Sequence, residues 1–314
     1  MRFVIDETSW KFNGLSQADF LKDLESFLDL MDSQIEQGHT ICYSENLFFF
    51  EVFKNFSFYE LYNPSGLIFV PRHVQERIAI IFSHLQHWED FENLPLSFDV
   101  EINQNKIIES APSIAWAHHQ NKNYVIDTIG CLVYPSGRTS GFLDVEVSET
   151  VIPLWFISDQ ISCLKFFRWI ILHGTTAPSQ MERFSPSAFP ELDFIPGVFN
   201  GIKNMSKPYG ALVEDLVHHL SVFSDYGKNI FSELYIDAPG KFGSYNLNVS
   251  DENGGTKSNS QAKKDHTRTF KGKEIQFWWH SKLEPDRDRI HIDPSPLKSS
   301  GKIIVGIFCR HLIT

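Results

Sequence analysis

Three short strand-like runs near the carboxyl end, at 274–282, 287–293 and 302–309, constrain the fold of this 314-residue chain more than any other feature. Pro285 and Asp286 turn the first run into the second. Pro294, Pro296 and Gly301 separate the second from the third. Proline cannot donate to a sheet ladder, so runs punctuated in this way read as an antiparallel meander. Strand side chains alternate with period 2. Ile275, Phe277 and Trp279 therefore share one side, and His280 and Lys282 the other. In the next run Arg287, Arg289 and His291 share a face opposite Asp288, Ile290 and Ile292. A hairpin joining the two runs gathers two imidazoles, one ammonium and two guanidinium groups on a single face.

The rest of the chain mixes helical and strand patterns. A short strand at 2–6 opens it. Ser16 is placed to cap a helix in which Phe20, Leu24, Phe27, Leu28, Met31 and Ile35 recur at helical spacing, and Gly38 stops it. Residues 47–62 are aromatic and strand-like, and Asn63-Pro64-Ser65-Gly66 reads as a turn. Helices are expected at 73–88, 106–119, 161–172 and 209–224. Runs at 125–133 and 142–147 read as a hairpin with a long tip at 135–141. A long ordered loop is expected at 174–207, and residues 243–260 have the composition of a mobile loop. The expected fold is α+β, with helices and antiparallel strands in the N-terminal unit and a three-stranded antiparallel meander closing the C-terminal unit.

Charge divides the chain. Residues 226–314 carry 14 Lys and Arg against 10 Asp and Glu, a balance of +4, whereas residues 1–225 carry 14 against 29, a balance of −15. This asymmetry predicts an acidic sensing or scaffold domain at 1–225 and a basic domain at 226–314. A basic segment favours an anionic ligand such as nucleic acid. The four cysteines, Cys42, Cys131, Cys163 and Cys309, form no C-x-x-C pair and read as reduced thiols. No apolar run reaches the roughly 18 residues of a membrane span. An acid as early as Asp6 does not fit a secretory signal. A cytoplasmic protein without membrane contact is expected.

The basic face matches the needs of RNA cleavage without a metal. A base must take the proton of the 2′-hydroxyl, cations must stabilise the phosphorane, and an acid must protonate the leaving oxygen. His280, Lys282, Arg287, Arg289 and His291 are the candidate catalytic residues. His280 and His291 would exchange protons, Lys282 would be an alternative base, and Arg287 and Arg289 would hold phosphate oxygens. His266, Arg268 and Lys273 are candidate substrate contacts. Neither a metal nor a cofactor is expected. The expected partner is nucleic acid, with RNA favoured, together with a protein partner or inhibitor.

The run from Phe277 to Lys282, then Arg287–Ile292, Ile303–Ile307 and the closing Arg310-His311-Leu312 resemble the final strands of RelE-like toxins. These belong to the barnase–EndoU–colicin E5–RelE superfamily of metal-independent ribonucleases. The resemblance covers about residues 226–314. It implies a small antiparallel sheet with basic and histidine residues on one face, and endoribonuclease activity leaving a 2′,3′-cyclic phosphate. The large acidic N-terminal body departs from that small, standalone pattern. A fused hydrolase acting as a bacterial toxin or anti-phage defence effector fits the length by analogy.

Other readings compete. The same face on a non-catalytic nucleic-acid-binding or assembly subunit would serve for anchoring. An ordinary solvent-facing sheet explains it if Asp286, Asp288 and Asp293 neutralise the arginines. His84 and His87, with Glu89 and Asp90 nearby, or Asp6 and Glu7 at a strand end, would be needed for metal chemistry. The 135–141 tip would cradle an anion through backbone N–H groups and Arg138. No G-x-S-x-G, HExxH or dinucleotide fingerprint is present.

Overall fold

The computed structural model describes the chain except residues 13, 54–55, 64–68, 92–94, 96, 103–108, 122–126, 136, 234–235, 286, 300 and 313–314. The expected turn at Asn63–Gly66, the start of the helix expected at 106, the start of the strand expected at 125 and the Asp286 turn lie wholly or partly outside the described residues. The fold is α+β. It divides into two compact units, Met1–Phe166 and Phe167–Thr314. The division falls inside a helix and not at 225/226, where the charge changes.

The first unit contains β1 (Arg2–Ile5), α1 (Gln17–Glu36), β2 (Thr40–Tyr43), β3 (Glu51–Phe53), β4 (Phe56–Ser57), α2 (Arg72–Phe82), β5 (Gln86–His87), β6 (Asp99–Ile102), β7 (Glu109–Ser110), α3 (Pro112–Gln120), β8 (Gly130–Leu132), β9 (Gly141–Val147) and β10 (Thr150–Ile157). Its sheet runs β5-β2-β1-β8-β10-β9-β6-β7. The antiparallel strands expected here are present, since β9 pairs antiparallel with β10 and with β6. The first five strands of the order are parallel, which the sequence reading did not foresee. The hairpin expected between 125–133 and 142–147 does not form, because β10 lies between β8 and β9. Parallel strands need burial on both faces, and β1 and β8 are correspondingly apolar. Ser16 caps α1 as expected, its hydroxyl accepting from the N–H of Asp19 at 3.1 Å. Trp10, Phe12, Phe20, Phe27 and Tyr134 form a core of edge-on and tilted rings beneath α1.

Asp6 and Arg138 bind each other. The Arg138 Nε donates to Oδ2 of the fully buried Asp6 at 2.7 Å, and its NH2 donates to the Thr8 hydroxyl at 2.8 Å. The tip at 135–141 is thus anchored to the end of β1, with Arg138 committed to Asp6 and Thr8 and not to an external anion. Glu7 is buried beside Asp6 and accepts from the N–H of Ser113 at 2.9 Å. Burial, reinforced by the Asp6 charge, pushes the Glu7 carboxyl up to about 8.

Helix α4 (Gln160–Gly174) carries the division between units. The second unit continues with α5 (Pro178–Ala188), β11 (Leu192–Phe194), α6 (Tyr209–Glu233), α7 (Ala238–Gly243), β12 (Asn248–Asp251), α8 (Gly254–Ser258), α9 (Ser260–His266), β13 (Thr267–Phe270), β14 (Lys273–Gln276), β15 (Trp279–Glu284), β16 (Arg287–Asp293) and β17 (Ile303–Cys309). Its main sheet runs β11-β17-β16-β15-β12. The antiparallel meander β15-β16-β17 is as expected.

Residues 167–225 belong with this sheet for physical reasons. Arg168 forms two parallel hydrogen bonds with Asp225, at 2.8 and 2.6 Å. The apolar stripe of α6, including Leu212, Leu216, Leu220 and Phe223, is buried. His219 of α6 bonds the Ser281 hydroxyl at 2.7 Å on the apolar side of β15, and burial lowers its pKa to about 4. The 243–260 segment is not a featureless loop. It holds β12 and two short helices, capped by Asn253 and Asn259. Those residues signal helix starts as well as loops, and the loop reading weighed only the second meaning. Among the described residues no helix is long and apolar enough to cross a membrane.

Candidate functional site

The pairing of β15 with β16 sets the site. His280 lies opposite His291, Lys282 opposite Arg289, and Glu284 opposite Arg287. Directly opposed residues share a sheet face, so the hairpin gathers the predicted groups on one side. β12 extends the face, pairing Ser250 with His280 and Asn248 with Lys282. On the other flank, β17 places Ile307 opposite His291 and Cys309 opposite Arg289, with a register shift after His291. Gly306 is required there, because a Cβ at that position would overlap the Phe277 ring. Phe277 in turn supplies a carbonyl to His291.

The face is more buried than an open basic patch. His291 is 0%, His280 3% and Arg289 8% exposed, while Lys282 is half-buried and Arg287 exposed. Glu252, just beyond β12, is also buried and stands at the centre. Its Oε1 is 3.0 Å from His280 Nδ1, 3.9 Å from an Arg289 terminal nitrogen and 4.0 Å from His266 Nε2. His266, fully buried at the end of α9, stacks on Trp278 at 4.9 Å between ring centroids and meets His291 edge-on at 5.0 Å. His280 and His291 are 5.3 Å apart by the same measure.

Hydrogen bonds orient the rings. His266 Nδ1 is 2.8 Å from the Ala262 carbonyl, and His291 Nδ1 is 3.2 Å from the Phe277 carbonyl. A carbonyl only accepts, so each Nδ1 carries a proton, and in the neutral ring the lone pair is at Nε2. His280 differs, with Nε2 at 3.1 Å from the Ser250 hydroxyl and Nδ1 facing Glu252. The close contact with His280 holds the Glu252 carboxyl below the ordinary range against the opposing effect of burial, and the charges of His280, His266 and Arg289 add to it. Burial drives His291 well below the usual histidine range, and the neighbouring His280 and His266 push it further. Burial also lowers His266. His266 Nε2, His280 Nδ1, His291 Nε2 and Arg289 Nε are buried without a hydrogen-bond partner among the described residues, the His280 Nδ1 approach to Glu252 at 3.0 Å being an ion-pair contact. Such atoms call for a water or a ligand that completes them.

The expected neutralising acids do not serve that purpose. Asp288, buried with φ of 56°, accepts from the N–H of Ser206 at 2.8 Å and from its hydroxyl. Asp293 is engaged by Ser295, and Asp286 is outside the described residues. Arg287 does have a counterion, in Glu284 at 3.1 Å, and Lys207 contacts the same carboxylate. Lys282 has no ion pair among the described residues.

Of the substrate-contact candidates, His266 joins the cluster. Arg268 donates to the Asp265 and Thr267 carbonyls and lines a cavity of about 310 Å³ together with Ile307 and Cys309, the β17 partners of His291 and Arg289. Lys273 stands exposed on β14, outside the cluster. Glu252, Ser250 and Trp278 were missed by sequence reasoning. The available signal was the alternation Asn248, Ser250, Glu252 around buried Val249.

Histidines outside this cluster have separate partners. His218 bonds the Tyr245 carbonyl while His219 turns to Ser281, and His87 contacts the Tyr43 hydroxyl. Glu89 accepts from the Ser44 hydroxyl and the Glu45 N–H. Among the described residues no group of three or more His, Cys, Asp or Glu is arranged to hold a metal ion. No family model, curated protein or solved structure matches this chain.

Proposed function

We propose that the C-terminal unit is a metal-independent endoribonuclease whose reaction is centred on His280 and His291. The observation that carries this reading is the convergence of three imidazoles, Arg289 and Glu252, with four buried nitrogens left without a hydrogen-bond partner among the described residues. Neutral His291, its lone pair at Nε2, takes the proton of the 2′-hydroxyl. The 2′-oxygen then attacks phosphorus, and the 5′-oxygen leaves with a proton from His280, giving a 2′,3′-cyclic phosphate and a 5′-hydroxyl. Glu252 orients His280 through Nδ1, as the acid of a triad does for its histidine. Arg289 and Arg287 hold the phosphate oxygens, and Lys282 adds charge beside them. Arg268 contacts the flanking chain.

Purified protein with labelled RNA and DNA in EDTA tests this. RNA cleavage is expected in EDTA and should disappear in His280→Gln and His291→Gln while RNA binding persists. Arrest of bacterial growth on expression of the wild type, relieved by the same changes, is the outcome expected of a toxin or defence effector.

A second reading is favoured by the complete burial of His291: a non-catalytic nucleic-acid-binding or assembly subunit. It predicts RNA retention with steep salt dependence and no cleavage under any condition.

A further inference from the structure

The first unit contains a pocket that the nuclease reading does not use. It encloses about 640 Å³, within the range of small-ligand sites. Tyr43, Phe48, Phe49, Tyr59, Tyr62 and Phe82 line it. Tyr43 meets Phe48 and Phe82 edge-on, at 6.1 and 5.3 Å between centroids. Phe49 and Tyr59 are 77% and 66% exposed among the described residues.

Acidic residues stand next to the lining, although, among the described residues, none of them lines the pocket. Glu45 and Glu89 are drawn together beside Tyr43 by the hydrogen bond from the Glu45 N–H to Glu89 Oε1 at 3.0 Å. The Tyr43 hydroxyl lies 3.2 Å from His87 Nε2, two residues before Glu89. After burial, the charges of Glu89 and Glu45 are the next causes of the raised Tyr43 pKa, which places both carboxylates near the hydroxyl. Glu60 sits between Tyr59 and Tyr62 on one short helical segment and accepts from the Asn63 side chain at 3.1 Å. Oε2 of Glu89 and Nδ1 of His87 are buried and have no hydrogen-bond partner among the described residues. No Lys or Arg lines the pocket among the described residues. The whole unit, residues 1–166, carries 10 Lys and Arg against 23 Asp and Glu.

Ring faces are electron-rich and attract cations, most strongly where water is excluded and carboxylates stand nearby. We propose that this pocket binds a small organic cation, an alkylammonium group held against the rings of Tyr43, Tyr59 and Phe49, with the Glu45 and Glu89 charges acting from beside Tyr43. The proposal does not depend on the nuclease reading. A phosphate-bearing ligand would meet the same carboxylates as repulsion.

Titration calorimetry of the full chain with three probes tests it: choline, dimethylbutanol in which carbon replaces the quaternary nitrogen, and adenosine monophosphate. Choline should bind at least about tenfold more tightly than dimethylbutanol, the margin expected of a partly desolvated cation–π site. Tyr59→Leu, at an exposed ring that the fold does not need, should weaken choline at least about fivefold without changing the dimethylbutanol affinity. Glu60→Gln should weaken choline alone, by about twofold to threefold. Absence of choline binding, equal affinity for the two isosteres, or preference for the nucleotide would each overturn the proposal.

Discussion

Two buried carboxylates, Asp6 in the first unit and Glu252 in the second, are compensated in opposite ways. In the first, Asp6 is saturated: its carboxylate accepts from the Thr8 N–H and hydroxyl and from Arg138. In the second, Glu252 has two histidines and an arginine within 4.0 Å, yet four nitrogens of the cluster that includes His291 have no hydrogen-bond partner among the described residues. A saturated network holds a fold together, because every group that left water has been compensated. An unsaturated one leaves capacity for something else to bind. The difference separates a structural polar core from a candidate active site without reference to any relative.

The largest test of that contrast removes one member from each network. His280→Gln should lower RNA cleavage by about 10²-fold or more, the usual worth of an acid–base group, with little change in the urea midpoint. Arg138→Ala should do the reverse. It strands Asp6 as an uncompensated buried charge and should cost about 3–5 kcal/mol in urea unfolding, while any surviving folded protein cleaves normally. If Arg138→Ala abolished cleavage in folded protein, the division of labour would fail.

The units should also respond oppositely to pH. Glu7 has a folded pKa raised to about 8, so its contribution to stability is full below the ordinary carboxyl value and is lost as pH rises towards 8. That loss is on the order of 1 kcal/mol per pH unit, and Glu7→Gln should remove it. His291 and His219 have lowered folded pKa values, so their contributions are present above about 6.5 and are lost as pH falls below it. Glu252, also lowered, adds to the loss at still lower pH. Hydrogen exchange, corrected for intrinsic rates, should show β1 and β8 loosening in alkali and β16 loosening in acid. Parallel loosening of both units at either extreme would break the comparison.

The smallest expected effect sharpens the roles inside the second unit. Ser250→Ala removes one neutral hydrogen bond to His280 Nε2. It should change the cleavage rate by no more than about tenfold. A loss as large as that of His280→Gln would make Ser250 a reacting group and require a different mechanism.

How much of this was legible in the sequence varies by residue. The shared face of His280, Lys282, Arg289 and His291 follows from alternation and from prolines that leave few alternative registers. Ser16 announces α1 because its hydroxyl acts locally. Glu252 was not legible, because it lies in a stretch whose Asn, Gly and Ser content read as mobile loop. Its partners are 14 to 37 residues away in sequence, as His266 and Arg289 show. The acidic-to-basic change at 225/226 misplaced the division because net charge describes surfaces, whereas α6 is assigned by its buried stripe.

Local rules, then, were enough for the antiparallel meander and for which of its side chains point the same way, since period and turn chemistry act over a few residues. Burial of that face, the arrival of Glu252 and His266 at its centre and the commitment of Arg138 to Asp6 were decided only by tertiary packing. Desolvation and long-range partners, which determine whether a charge is compensated or left open, depend on what the rest of the chain brings alongside.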